Sequence, residues 1–365
     1  MSNWVDLLPE ILLVIAKKLI SSEDFLASVA FGAVCTSWRS VYIKVKDVIK
    51  QLPTQVIWLM LAEERDHTDE RGFFSLAKGN TRYLQLPEAK GKFCFSFPQG
   101  WLITTGKDLD LDLLHPLSRV QFQLPNLRTI TKDFRSSCLL STVINRALLT
   151  ANPSLTSDFR VVIICDFGRL AFAKLGANSR TISKERYRFA DVIYYNGNIY
   201  GVYPDGSIWV CDIEGYEPKA TMLFHTKIGR FVPLFERMYL VESSGKLLAV
   251  LRTGGQARSL FEGSTIYSYG TAPFLVFELN ISNRSCTRLE SLENRALFVG
   301  RNSSISVNAL NICGCKANSI YFTDDANESR DMGVWNMMDG RIETLFNPPL
   351  FCHVAPPLWV FPNFP

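Results

Sequence analysis

Long apolar runs are missing from this chain. The longest early one spans Ile11 to Ala16, far short of the roughly 18 residues that cross a membrane. No basic stretch precedes it as in a secretory leader. The sequence therefore reads as soluble and intracellular, in nucleus or cytoplasm, with no membrane partner. Histidine is scarce. His67, His115, His225 and His353 are the four present, and none has an i+4 partner or an adjacent nucleophile motif. No Gly-x-Ser-x-Gly elbow and no phosphate-loop lysine motif occurs. The nine cysteines are scattered and odd in number, as expected of reduced, mostly buried thiols. Cys313 and Cys315 form the one close pair, without the second pair a zinc site needs. Neither metal nor cofactor is expected. Excess charge is also lacking: 39 Lys and Arg against 35 Asp and Glu leave +4. A nucleic-acid partner, which calls for concentrated basic charge, is not expected.

What is abundant is aromatic: 25 Phe, 12 Tyr and 7 Trp, with 22 Gly and 17 Pro to supply turns. That composition favours strands. The first 50 residues nevertheless have a helical period. Leu8, Leu12, Ile15 and Leu19 lie on one face, and Leu7, Ile11 and Val14 form a second stripe beside it. Together they cover an arc of about 160°, wider than packing on a single core requires. Such a helix meets two surfaces, its own domain and a partner. Ser21 to Asp24 matches a capping box that starts a second helix, and Gly32 is placed to end it. Val34, Trp38, Val41, Val45 and Val48 give the stripe of a third.

From about residue 55 the pattern changes to short strands. Ile193–Tyr195, Ile199–Tyr203 and Ser207–Asp212 are separated by turns at Asn196-Gly197 and Asp205-Gly206. Met238–Val241 and Lys246–Leu251 flank a turn at Ser244-Gly245. Tyr200 and Tyr239 each stand six residues before a turn glycine and are 39 residues apart, with Tyr321 a further 82 on. A period near 40 with strand-turn-strand content is the signature of a β-propeller. Weaker units at Ile57–Leu61, Phe93–Thr104 and Val161–Ala173 bring the total to about six blades. Leu127–Asp158 and Gln256–Ala272 read as insertions or degenerate blades, and Leu358–Phe361 as the strand that closes the ring beside the first blade.

The fold class that follows is an α+β chain of two domains. Residues 1–50 form a small three-helix head, and residues 51–365 a predominantly β, propeller-like body.

Candidate chemistry in the body is thin. Asp108, Asp110 and Asp112 alternate with leucines, which puts three carboxylates on one face of an extended segment. A solvated strand face explains them without a cation. Asp324-Asp325 reads as a polar turn, since neighbours on a strand point to opposite faces. Arg180, Lys184, Arg186 and Arg188 surround Glu185 in what reads as a solvated loop between blades. Gly300 to Ser304 could form an anion-binding nest but lacks the following helix, and reads as a blade turn.

The head carries a resemblance. Trp4-x-x-Leu7, Glu10-Ile11-Leu12, Ile15 and Leu19, followed by Val34-Cys35-x-Ser37-Trp38-Arg39, resemble an F-box. The body adds Gly100-Trp101-Leu102, Leu114-His115-Pro116-Leu117, Leu297 to Ser304, Asn318 to Asp325, Gly333 to Asn336 and Pro356 to Val360. In that order they resemble plant F-box proteins with a kelch-like, propeller-type C-terminal domain. The family usually has Leu-Pro where this chain has Leu7-Leu8, with Pro9 one position later, and Asn where His115 stands.

The resemblance implies a non-catalytic role: substrate-recognition adaptor of an SCF-type cullin-RING ubiquitin ligase. The F-box would dock a Skp-type subunit and the propeller would hold an unidentified target protein. By match to the motif, the docking residues are Leu7, Pro9, Ile11, Leu12, Ile15, Val34, Cys35 and Trp38. For Ile15 and Trp38, packing within the head is the competing role. The alternatives are a propeller that binds proteins outside a ligase, or a propeller hydrolase.

Overall fold

The computed structural model describes residues 7–21, 27, 31–32, 34–49, 57–63, 69–129, 144–165, 168–174, 181–214, 217–228, 237–261, 264–323, 332–345 and 356–362. Of the head, two helices are described, α1 (Pro9–Ser21) and α2 (Thr36–Ile49). Ala27, Phe31 and Gly32 between them are helical. The rest of the expected second helix, its capping box included, lies outside the described residues. Gly32 does not terminate a helix through a left-handed turn. A Cβ there would lie 2.8 Å from the Tyr42 ring, so the position is kept small by close packing against α2. Leu12, Ala16, Phe31, Trp38, Val41 and Val45 form the core of the head.

The body is a six-bladed propeller. Blade 1 is built from β1 (Trp58–Met60), β2 (Glu70–Ser75) and β3 (Asn80–Gln85), and blade 2 from β4 (Phe93–Ser96), β5 (Leu102–Thr105), β6 (Leu111–Leu114) and β7 (Gln121–Leu124). Blade 3 holds β8 (Ile144–Leu149), β9 (Arg160–Cys165), β10 (Arg169–Lys174) and β11 (Thr181–Arg186). Blade 4 holds β12 (Asp191–Tyr195), β13 (Asn198–Val202), β14 (Ser207–Asp212) and β15 (Lys219–His225). Blade 5 holds β16 (Arg237–Ser243), β17 (Lys246–Phe261), β18 (Ser264–Asn280) and β19 (Ser285–Leu289). Blade 6 has five strands, β20 (Arg295–Val299), β21 (Ile305–Asn308), β22 (Ser319–Phe322), β23 (Gly333–Asn336) and β24 (Ile342–Glu343). The last strand, β25 (Leu358–Val360), returns to pair antiparallel with β1, Trp58 opposite Val360, and closes the ring.

Blades stacked face to face bury both sides of a strand, which is why Phe93–Ser96 and Val161–Cys165 are buried throughout instead of alternating. At the closure, Phe298 stacks on Tyr321 with centroids 4.5 Å apart, and Trp359 meets Phe298 edge-on at 5.0 Å. Burial pushes the Tyr321 phenol well above its ordinary pKa.

Four sequence expectations change. The 39-residue spacing joins non-equivalent hairpins: Tyr200 lies on β13, the second strand of its blade, and Tyr239 on β16, the first of the next. The first strands of blades 2 to 5 start at Phe93, Ile144, Asp191 and Arg237, each step longer than 39. Leu127–Asp158 is no mere insertion, because it supplies β8, the first strand of blade 3. Gln256–Ala272 is an extension of the β17–β18 hairpin, paired from Gly254 and Thr271 out to Phe261 and Ser264. Lys184 and Arg186 stand exposed on β11 rather than in a loop, and Arg188 follows it. Arg180, Asp324 and Asp325 lie outside the described residues.

The aspartate row is also broken. Leu109 takes a left-handed backbone, φ +62°, and of the three aspartates only Asp112 falls within β6. Asp110 accepts from Asn126 Nδ2 at 2.6 Å, and the buried Asp112 pairs with Lys92 Nζ at 2.8 Å. His115 holds the local turn: its Nδ1 accepts from the Ser118 amide at 3.2 Å.

Candidate functional site

The head divides the eight motif residues by environment. Leu12 and Trp38 are in its core, with the Trp38 ring 4.6 Å from that of Phe31. Leu7, Ile15 and Cys35 are half-buried against the same core. Pro9 opens α1, where a missing N–H costs nothing, and it is exposed. Ile11 is 46% exposed and Val34 51%. Val34 precedes α2 instead of continuing its stripe, because the helix starts only at Thr36.

Two residues that the motif match omitted share the exposed side. Leu8 and Val14 are each 63% exposed, so Leu8, just before α1, makes an apolar outer face with Ile11 and Val14 on it. Their signal was in the sequence. The stripe was broader than one core needs, and the structure shows which part of it the core leaves over. With Leu12 and Ala16 turned into the core of the head, that face is left apolar and open to solvent.

The axis of the propeller is the other place where a site would be sought. Each blade contributes one edge strand to it, β25, β4, β8, β12, β16 and β21, and β8 faces β12, β12 faces β16, and β16 faces β21. Asp191 at the start of β12 ties three blades. Its Oδ1 accepts from the Val192 amide at 2.9 Å and lies 3.2 Å from Arg146 Nε of blade 3, while its Oδ2 accepts from the buried Leu240 amide of blade 5 at 2.8 Å. Nothing in the motif reading singled out Asp191. An acidic residue opening an otherwise apolar strand was the available cue.

Gly300 to Ser304 is more than a blade turn. From the end of β20 it reaches the far side of the ring, where the Ser303 amide donates to Ser96 O of blade 2 at 3.0 Å and Ser303 Oγ donates to Ala147 O of blade 3 at 3.2 Å. The chain then returns as β21, whose Ser306 Oγ lies 2.8 Å from Ser243 Oγ on β16. This detour is why β20 and β22 run parallel, with Ala296 opposite Ser319. Gly300 permits it. Its φ is +153°, and a Cβ would lie 2.0 Å from Thr323 Oγ1. Main chain therefore spans the axis at this level, and the groups around it serve to join blades.

Among the described residues no group of three His, Cys, Asp or Glu side chains is placed to hold a metal ion. Cys313 is exposed and Cys315 half-buried. Burial pushes the Cys315 thiol up to about 11. Also among the described residues, no helix is long and apolar enough to cross a membrane.

The family model described as KIB1-4 beta-propeller matches residues 73–336. The Arabidopsis thaliana F-box protein SKIP23 is 24% identical, over 99% of this chain and 96% of its own length. The putative F-box protein At1g65770, also of Arabidopsis thaliana, is 26% identical over 89% of this chain and 90% of its own. Among solved structures, the β-propeller domain of Cps50 (Swd1) from Myceliophteria thermophila aligns at 10% identity, covering 78% of this chain and 84% of that one, with a TM-score of 0.35.

Proposed function

Since the chain belongs to the KIB1-4 beta-propeller family, whose match leaves the helical head outside it, we propose that it is the substrate-recognition adaptor of an SCF-type cullin-RING ubiquitin ligase. In this reading residues 1–50 are the F-box that docks a Skp-type subunit, and residues 51–365 hold the target protein. The ligase's chemistry takes place on other subunits, and the chain itself catalyses nothing. It works in the nucleus or cytoplasm, where such ligases act. The F-box names of the relatives support this reading.

The observation that carries it is the outer face of α1. Leu8, Ile11 and Val14 are open to solvent next to Pro9, with Val34 exposed as well. Covering three such side chains with a partner contributes about 3–5 kcal/mol at roughly 25 cal/mol per Å2. Of the motif residues, Pro9, Ile11 and Val34 are assigned to direct contact, Leu7, Ile15 and Cys35 to its margin, and Leu12 and Trp38 to holding the helices in place.

Co-expression with a Skp-type subunit tests this. The wild-type chain is expected to co-purify with it, and an Ile11→Asp Val14→Asp variant, altered only at exposed positions, is expected to lose it with an unchanged thermal transition. No complex for the wild type, or an undiminished one for the variant, overturns the reading. The alternative, a propeller that binds proteins outside any ligase, draws on the shift of proline from its usual place to Pro9. Pro9 still falls in the first turn of α1, which favours the docking reading.

A further inference from the structure

A half-open cleft of about 360 Å3 lies between blades 3 and 4. One wall comes from the segment joining β8 to β9 and the start of β9, with Thr150, Asp158 and Arg160. The other comes from the β12–β13 hairpin and the end of β14. The floor is apolar: Ile199, Cys211 and Ile213 belong to the core between these two blades. Burial pushes the Cys211 thiol up to about 12, so it lines the floor as a neutral group. The volume is at the lower end of the roughly 300–1,000 Å3 that holds ligands, and fits one or two side chains of a longer segment.

The rim selects the occupant. It carries three carboxylates, Asp158, Asp212 and Glu214, against one guanidinium, Arg160. Glu214 engages Arg160 through both terminal guanidinium nitrogens, one at 2.9 Å, and this pair joins the two blades across the cleft. Lys174, outside the cleft, holds Asp158 at 2.9 Å. Asp212 is different. Its Oδ1 accepts from the Glu214 amide at 2.8 Å; Lys219 stands opposite it on β15, but among the described residues no cation is joined to it in an ion pair. Tyr194, on β12 across β13 from the strand that carries Asp212, also lines the cleft and is 40% exposed. A carboxylate left out of these ion pairs, an open aromatic ring and an apolar floor suit one kind of side chain, a long stem ending in positive charge. A phosphorylated or acidic segment would be repelled by Asp212, the one carboxylate of the three that no ion pair offsets among the described residues.

We infer that the cleft between blades 3 and 4 binds a segment of another protein through a lysine or arginine side chain, seated on Ile199 and Ile213 and paired with Asp212. Calling that segment the ubiquitination target rests on the adaptor reading. The cleft's preference for a basic side chain does not.

The test uses the full-length chain and fluorescein-labelled hexapeptide sublibraries in which one position is fixed as Lys, Arg, Leu, Glu or phosphoserine. Binding is read by fluorescence polarisation. The Lys and Arg sublibraries are expected to bind at least fivefold more tightly than the Glu and phosphoserine ones, and Asp212→Asn is expected to erase the difference. Asn keeps the acceptor for the Glu214 amide, so the variant should melt with the wild type. Tyr194→Ala is expected to weaken the Lys and Arg sublibraries at least threefold. An acidic preference, no binding by any sublibrary, or a basic preference that survives Asp212→Asn overturns the inference. Capture of a Skp-type subunit by the same Asp212→Asn protein, measured in parallel, separates failure of the cleft from failure of the adaptor reading.

Discussion

Replacing Asp191 by alanine should destabilise the propeller more than any other single polar substitution on its axis. Asp191 is 6% exposed, and its carboxylate contacts three blades through the Val192 amide at 2.9 Å, Arg146 Nε at 3.2 Å and the Leu240 amide at 2.8 Å. Alanine takes the acceptor from the Leu240 amide, and a hydrogen bond from a buried N–H to a charged group is worth about 1.5–3 kcal/mol. It also takes the counter-charge from Arg146. Breaking a buried ion pair by removing one partner costs about 3–5 kcal/mol. The two losses share one carboxylate and do not add in full. Arg146 Nε keeps Ala190 O at 3.0 Å, which softens the second. A loss of about 3–5 kcal/mol is therefore expected. Asp191→Asn retains an acceptor for Leu240 and should lose about half as much. The assay is urea unfolding followed by tryptophan fluorescence. With a slope of about 3 kcal/mol per M, the alanine variant should unfold at a urea concentration lower by about 1–1.7 M. An Arg146→Met Asp191→Leu double variant should fall short of the sum of its single variants. Stability of Asp191→Ala within 0.5 kcal/mol of wild type, a bound set by ordinary surface substitutions at about that size, would refute the reasoning.

Gly300→Ala should cost about 2 kcal/mol or more, because it combines a strained positive φ with a contact 2.0 Å from Thr323 Oγ1. Adding Thr323→Ala should restore only part of that in the same urea assay, since the backbone strain stays. Trp359→Ala empties a buried site between Phe298 and Tyr321 at the ring closure and should cost about 3–5 kcal/mol, seen as a lowered thermal transition. Thiol alkylation at pH 8 should label the exposed Cys313 within minutes and leave Cys211 unlabelled in the folded chain. With its thiol pushed up to about 12, roughly one molecule in ten thousand carries the Cys211 thiolate at that pH. Mass spectrometry of the peptides decides this.

The fold was legible where local chemistry and tertiary structure agree. The turns at Asn196-Gly197, Asp205-Gly206 and Ser244-Gly245 set hairpins where expected, and the tail from Leu358 closes the ring as its apolar run suggested. The blade phase was not legible. Tyr200 and Tyr239 stand before chemically alike turns that join different strand pairs, and turn residues do not record which pair they connect. The crossing of the axis by Ser303 was hidden for a similar reason. Gly300-Arg301-Asn302-Ser303-Ser304 reads as a tight turn, whereas the conformation is decided by Ser96 and Ala147, more than 150 residues earlier in the chain. On α1 the width of the apolar stripe announced a second surface, but only the packing of Leu12 and Ala16 against α2 shows that Leu8, Ile11 and Val14 are left outside. Asp212 carried no sequence signal. Its standing depends on which neighbouring cations are already engaged by Glu214 and Asp158.

The central claim is that the outer face of α1 docks a Skp-type subunit, and isothermal titration of the full-length chain with that subunit tests it most directly. The wild type is expected to bind at submicromolar Kd, and Ile11→Asp Val14→Asp to bind at least a hundredfold more weakly, about 2.7 kcal/mol. Asp191→Asn, altered on the propeller axis, should bind as the wild type does. Equal affinity for the wild type and the Ile11→Asp Val14→Asp variant, or no binding by either, would contradict the account.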